Sequence, residues 1–189
     1  MTKNVLIVGV GGQGSLLASK LLGHILLEEG YDVKVSEVHG MSQRGGSVVT
    51  YVRFGDKVYS PIVGKGSADV IVAFEEMEAL RWLDHLKIGG TMVINDHQIQ
   101  PVPVNLGNAE YPEGIIENLS KICDVHAFKA AEIATELGNP KAMNIVLLGA
   151  LVKNMGGLDE IDWDAEIEAN VKPKFVELNK KAFHAGYEL

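Results

Sequence analysis

The chain has 189 residues, 47% of them hydrophobic and 22% charged, with a formal net charge of −8. That balance suits one globular domain able to bury a core, and it argues against a general nucleic-acid binder, which needs clustered Lys and Arg to neutralise phosphates. The single cysteine, Cys123, excludes an intrachain disulfide, and it excludes an iron–sulfur cluster held by this chain alone, since such clusters take about four thiolates.

The first residues enter a strand pattern rather than a leader sequence, and the most apolar later stretch, residues 143–152, falls short of the ~20 residues that span a bilayer. A cytoplasmic protein with no membrane contact is expected. Residues 5–10 form a continuous apolar run, the pattern of a parallel strand covered on both faces. The run ends in VGVGGQG, where Gly9, Gly11 and Gly14 fit the G-x-G-x-x-G spacing of a tight turn that lets phosphate approach backbone and helix pack on strand. A helix over about residues 13–29 places Leu17, Leu21, Leu22, Ile25 and Leu26 on one stripe, with Gly30 as its stop. A second strand over 32–38 completes a βαβ unit with a right-handed crossover.

Residues 37–47, EVHGMSQRGGS, have no hydrophobic period and predict an irregular loop. Residues 47–54 alternate as a strand, Gly55-Asp56 can turn, and 57–63 return as a second strand, which predicts a hairpin and hence a mixed sheet. Residues 68–74 read as another buried parallel strand, followed by a helix over 75–86 and a strand over 91–95. The stretch 99–111, carrying Pro101 and Pro103, reads as short strands and loops. Beyond it come a helix over 113–122, a strand over 124–128 and a helix over 130–137 ended by Gly138 and Pro140. Residues 142–155 are apolar nearly all round, as in a helix buried in the domain or in a subunit contact. The six acids between 159 and 168 read as a solvated face, and Pro173 opens a final helix in which Phe175, Leu178 and Ala182 recur at helical spacing. The predicted architecture over residues 1–189 is a single three-layer α/β/α domain. Its sheet is Rossmann-like and mixed, mostly parallel, with a β-hairpin insertion after the first βαβ unit.

Two stretches carry candidate chemistry. The glycine turn, Gly11, Gly12, Gln13 and Gly14, supports a dinucleotide site, with Glu37 at the end of the second strand as a ribose-binding acid; alternatively the glycines only let helix dock on sheet. The loop holding Ser42, Gln43, Arg44 and Gly45 leaves the carboxyl end of a strand, where open α/β sheets bind ligands. Between residues 38 and 68 Arg44, Arg53, Lys57 and Lys65 face only Asp56, a local excess that favours a phosphate, a carboxylate or an acidic partner; Arg44 could equally be a hydrogen-bond hub for the loop. The six histidines are scattered without metal-ligand spacing, there is no G-x-S-x-G elbow, and Glu75, Glu76 and Glu78 suit the first turn of a helix. No nucleophile or acid–base pair stands out, so the chain reads as a component of an enzyme rather than a whole one.

GVGGQG, EVHGMSQRGGSVVTYVRFG, YSPIV, GSADVIVAFEEMEALR and KPKFVELNKKAFHAGY together resemble the gamma-type subunit or domain of 2-oxoacid:ferredoxin oxidoreductases, and the GMSQRGGSV wording is most similar to the indolepyruvate branch, in which this subunit is called beta. The resemblance covers essentially the whole chain. It implies a heteromeric, ferredoxin-dependent oxidoreductase that oxidatively decarboxylates arylpyruvates with coenzyme A to aryl-acetyl-CoA. Thiamine diphosphate and iron–sulfur clusters would be carried by the large alpha subunit, and no cofactor by this chain. A gamma subunit for phenylglyoxylate, pyruvate or 2-oxoglutarate, or a stand-alone NAD-dependent oxidoreductase, are the alternatives. In this setting the glycine turn and the Ser42, Gln43, Arg44, Gly45 loop would lie at the interface with the large subunit or on the coenzyme A side.

Overall fold

The computed structural model describes residues 2–40 and 45–189. The apolar run predicted as a strand is β1 (Lys3–Val10), and it sits inside a six-stranded sheet. Because side chains alternate across a strand, Val5 and Ile7 enter one core while Leu6 and Val8 enter the other. After the glycine turn, α1 (Ser15–Glu28) leads to β2 (Asp32–His39), and the chain returns as β3 (Ser47–Gly55). Then follow β4 (Ala68–Ala73), α2 (Glu76–Trp82), β5 (Leu86–Asn95), α3 (Val102–Asn105), α4 (Ile115–Leu119) and β6 (Asp124–Phe128). The chain closes with α5 (Ala130–Glu136), α6 (Met143–Met155), α7 (Trp163–Asn170) and α8 (Val176–Tyr187).

The strand order is β2-β3-β1-β4-β5-β6. Pairing is parallel from β1 through β4 and β5 to β6, while β3 is antiparallel to both β1 and β2. The predicted α/β/α layering and mixed sheet are therefore present, with one core beneath α1, α6 and α8 and the other beneath α2 and α4. Each Leu or Ile fully removed from water contributes on the order of 1.5–3 kcal/mol, so the two cores make this sheet the rigid support of everything at its carboxyl edge.

Three expectations change. The hairpin partner of β3 is β2 (and β1), not residues 57–63, because β1 and β2 already occupy both edges of β3 and leave no edge to pair. Residues 57–63 are irregular, held by Asp32, which accepts from Val58 N at 2.8 Å, and by Arg53, whose Nη1 donates to the carbonyls of Ser60 (2.9 Å) and Ile62 (3.1 Å). The 99–111 stretch contains the short helix α3 and no strand: Pro101 precedes it and Pro103 lies in its first turn, where a fixed φ is helical. Finally, Leu17 leaves the predicted stripe of α1 and is 64% exposed, the buried apolar side chains being Ala18, Leu22, Ile25 and Leu26.

The apolar helix α6 is buried within this chain, under α8. Two glycines allow the contact: a Cβ on Gly149 would meet Phe183 O at 2.0 Å, and one on Gly186 would meet Val146 O at 1.8 Å. Among the described residues no helix is long and apolar enough to cross a membrane.

Candidate functional site

The glycine turn needs glycine for two separate reasons. Gly12 and Gly14 adopt φ of 105° and 88°, the left-handed region that side chains disfavour. Gly9 is needed for space, since a Cβ there would lie 2.9 Å from both Gln13 Oε1 and Phe74 Cβ. The space is taken by the Gln13 side chain, whose Oε1 accepts from Val10 N at 2.7 Å while its Nε2 donates to Phe74 O at 2.9 Å. Gln13 thus spans the crevice between the carboxyl ends of β1 and β4.

The same carbonyl, Phe74 O, accepts a second amide hydrogen from Asn95 Nδ2 at 3.0 Å, and Asn95 Oδ1 accepts from Ala130 N at 3.0 Å. Asn95 is fully buried at the end of β5, and Ala130 opens α5 just beyond β6. Two side-chain amides therefore stitch together the carboxyl ends of all the parallel strands from β1 to β6.

The loop between β2 and β3 is fastened to the turn by backbone. Gly11 N donates to Gly46 O at 2.9 Å, and Gly45 N donates to Gly11 O at 3.4 Å. Just beyond, Ser47 Oγ donates to the buried carboxylate of Glu78, which also accepts from Arg81 Nε at 3.0 Å. Glu75, 1% exposed, caps α2 by accepting from Glu78 N at 3.0 Å, and accepts further from Tyr111 OH and from Ile99 N at 3.1 Å. Burial and the Glu75 carboxylate push the Tyr111 hydroxyl well above its usual range, so it stays a donor. Burial likewise raises Glu76, against a lowering hydrogen bond from Gln98, with the charges of Asp96 and Glu75 adding to the rise.

Gly11, Gly12 and Gly14 share a cleft of about 350 Å³ with Ser15, Leu16, Glu37, His39 and Val48. The turn and the predicted ribose-binding acid do meet, but with β3 inserted between their strands. Glu37 stands two strand spacings, about 10 Å, from β1 instead of one. Both backbone groups of Gly11 are already bonded to the loop. Ser42, Gln43 and Arg44 lie outside the described residues, while Gly45 is bonded to Gly11 through backbone.

The rest of the cationic excess is spent within the chain: Lys57 lies 3.8 Å from Asp32, Lys65 lies 2.7 Å from Asp84, and Arg53 is the hydrogen-bond hub, its Nε donating to Asn4 Oδ1 at 2.7 Å. Burial raises the Cys123 thiol, away from reactive thiolate. Among the described residues no group of three or more His, Cys, Asp or Glu could hold a metal ion, and one thiol does not fit an iron–sulfur cluster. Sequence reasoning missed the roles of Asn95 and the buried Glu75 and Glu78; the only signals were an amide ending an apolar strand and three acids directly after another.

Residues 4–189 match the family described as pyruvate ferredoxin/flavodoxin oxidoreductase. The chain belongs to this family. Indolepyruvate oxidoreductase subunit IorB of Pyrococcus horikoshii is 47% identical over 190 residues, covering 97% of this chain and 93% of that protein. The subunit of the same name from Thermococcus kodakarensis is 46% identical over 190 residues, with 97% and 93% covered. Among solved structures, the gamma subunit of a keto/oxoacid ferredoxin oxidoreductase from Geobacter sulfurreducens superposes with a TM-score of 0.72 at 26% identity, over 98% of this chain and 96% of that one.

Proposed function

We propose that the chain is the small subunit of a heteromeric, ferredoxin-dependent oxidoreductase of the indolepyruvate type, converting arylpyruvates and coenzyme A to aryl-acetyl-CoA and carbon dioxide. The observation that carries this reading is the carboxyl edge itself. Where a self-sufficient α/β enzyme would hold its cofactor, Gln13 and Asn95 both donate to the carbonyl of Phe74 after β4 and Gly11 bonds the loop, in a chain similar over its whole length to IorB subunits.

In this reading the large alpha subunit holds thiamine diphosphate and the iron–sulfur clusters, which supply decarboxylation and single-electron transfer to ferredoxin. This chain holds neither. Its turn at Gly11, Gly12, Gln13 and Gly14 and its loop at Ser42, Gln43, Arg44 and Gly45 border the large subunit or the path of coenzyme A, working in the cytoplasm.

Co-purification from the source tests the reading. A brown complex with thiamine-dependent reduction of ferredoxin by indolepyruvate supports it; micromolar binding of NADH by the isolated chain would count against it. Within the complex, Arg44→Ala is expected to weaken assembly or coenzyme A use by ~1.5–3 kcal/mol, the scale of a charge-assisted hydrogen bond.

A further inference from the structure

Leu17 and Phe175 are both apolar and both left in water, at 64% and 37% exposure. Both line a groove of about 540 Å³ between α1, the start of α6 and the segment leading into α8. The groove continues into a second recess that shares Leu17 and Phe175 and adds Leu178 and Lys141. No acid lines either part, on a chain with a net charge of −8.

The rim is cationic, and its charge is unspent. Lys20, Lys141 and Lys172 make no ion pair among the described residues, as is also true of Lys3, Lys121, Lys153, Lys174 and Lys181 elsewhere, whereas Lys34, Lys57, Lys65, Lys87, Lys129 and Lys180 each have a carboxylate within 4.0 Å. His24 also lines the groove, its Nε2 lying 3.5 Å from Glu28 Oε1. Desolvated apolar anchors inside a charged rim are the usual anatomy of a protein–protein hot spot. The groove also abuts the glycine cleft, since Leu16 lines the cleft and its neighbour Leu17 lines the groove.

We propose that this groove is the docking site for an acidic-flanked apolar segment of the large partner subunit. Its apolar side chains enter between Leu17 and Phe175, and its Asp or Glu carboxylates meet Lys20, Lys141 and Lys172. The proposal rests on the reading of the chain as a subunit and names the face that the partner covers.

Binding of the purified chain to the purified large subunit, measured across a salt series, tests it. Lys20→Glu with Lys172→Glu is expected to raise Kd by roughly tenfold or more and to flatten its salt dependence. Leu17→Asp is expected to raise Kd by a similar factor at every salt concentration. Ile88→Asp is the control, a fully exposed apolar residue near the amino end of β5, and should leave Kd within about twofold. All the substituted side chains are exposed, and unchanged circular dichroism and melting confirm folding. Wild-type affinity in both groove variants would overturn the docking face while leaving the subunit reading intact. A wild-type chain that binds no large subunit would overturn both. Sedimentation of the isolated chain as a dimer that the groove variants dissolve would assign the groove to a second copy instead.

Discussion

Gln13 and Asn95 donate to one and the same acceptor, the carbonyl of Phe74, at 2.9 and 3.0 Å. They come from opposite sides of it, Gln13 from the turn after β1 and Asn95 from the end of β5. A carbonyl has two lone pairs, and both are filled here by side chains that a ligand would have to displace. The crevice between the ends of β1, β4 and β5 is thereby filled by the chain's own amides.

Gln13→Ala is expected to destabilise the chain by about 1–3 kcal/mol. Phe74 O keeps its bond from Asn95, but Val10 N loses its acceptor inside the protein, and an orphaned buried donor carries its full desolvation penalty. Urea denaturation of wild type and variant measures it. A change below about 0.5 kcal/mol would mean that water replaces the amide.

The strands at residues 5–10 and 68–74 were legible because continuous apolar runs report burial directly. The place of β3 was not, since alternation fixes which face a side chain takes and says nothing about which strand lies alongside. The glycine turn was legible as a turn, while its stitching depends on Asn95, which only the sheet order brings beside Gln13. Glu75 and Glu78 looked like ordinary first-turn acids. Their burial comes from Tyr111, 36 residues after Glu75, and Ser47, 31 residues before Glu78, contacts with no local sequence signature.

Glu78→Ala tests whether α2 anchors the loop beside the turn. Ser47 Oγ and Arg81 Nε both lose a charged acceptor, at a cost of about 1.5–3 kcal/mol. Amide hydrogen exchange at residues 45–48 is expected to speed up more than exchange in β4 or β5. Uniform acceleration across the sheet would show that Glu78 stabilises the whole fold and not the loop.

Gly186→Ala is expected to cost about 3 kcal/mol, because the added methyl meets the carbonyl of Val146, a backbone atom that cannot rotate away. Gly138→Ala tests a different penalty, its φ of 104° being strained for alanine with nothing within 4 Å of the new methyl. The order of the two melting temperatures, Gly186→Ala below Gly138→Ala, separates steric overlap from backbone strain.

Glu76 gives a pH dependence whose sign is fixed by its surroundings. Burial, with the charges of Asp96 and Glu75, holds its carboxyl above the ordinary value of 4.5, so the folded chain keeps a proton that the unfolded chain has released. Between 4.5 and the raised folded value the native state binds more protons, and stability therefore falls as pH rises through that window, the deficit being complete above it. Glu76→Gln removes the titration while leaving an acceptor for Gln98 Nε2. Stability relative to wild type is thus expected to be higher at about pH 7 than at about pH 4, measured as paired urea midpoints with m-values checked for constancy. Parallel pH profiles for the two chains would place the charge of Glu76 in water and remove the buried carboxylate from the account of this edge.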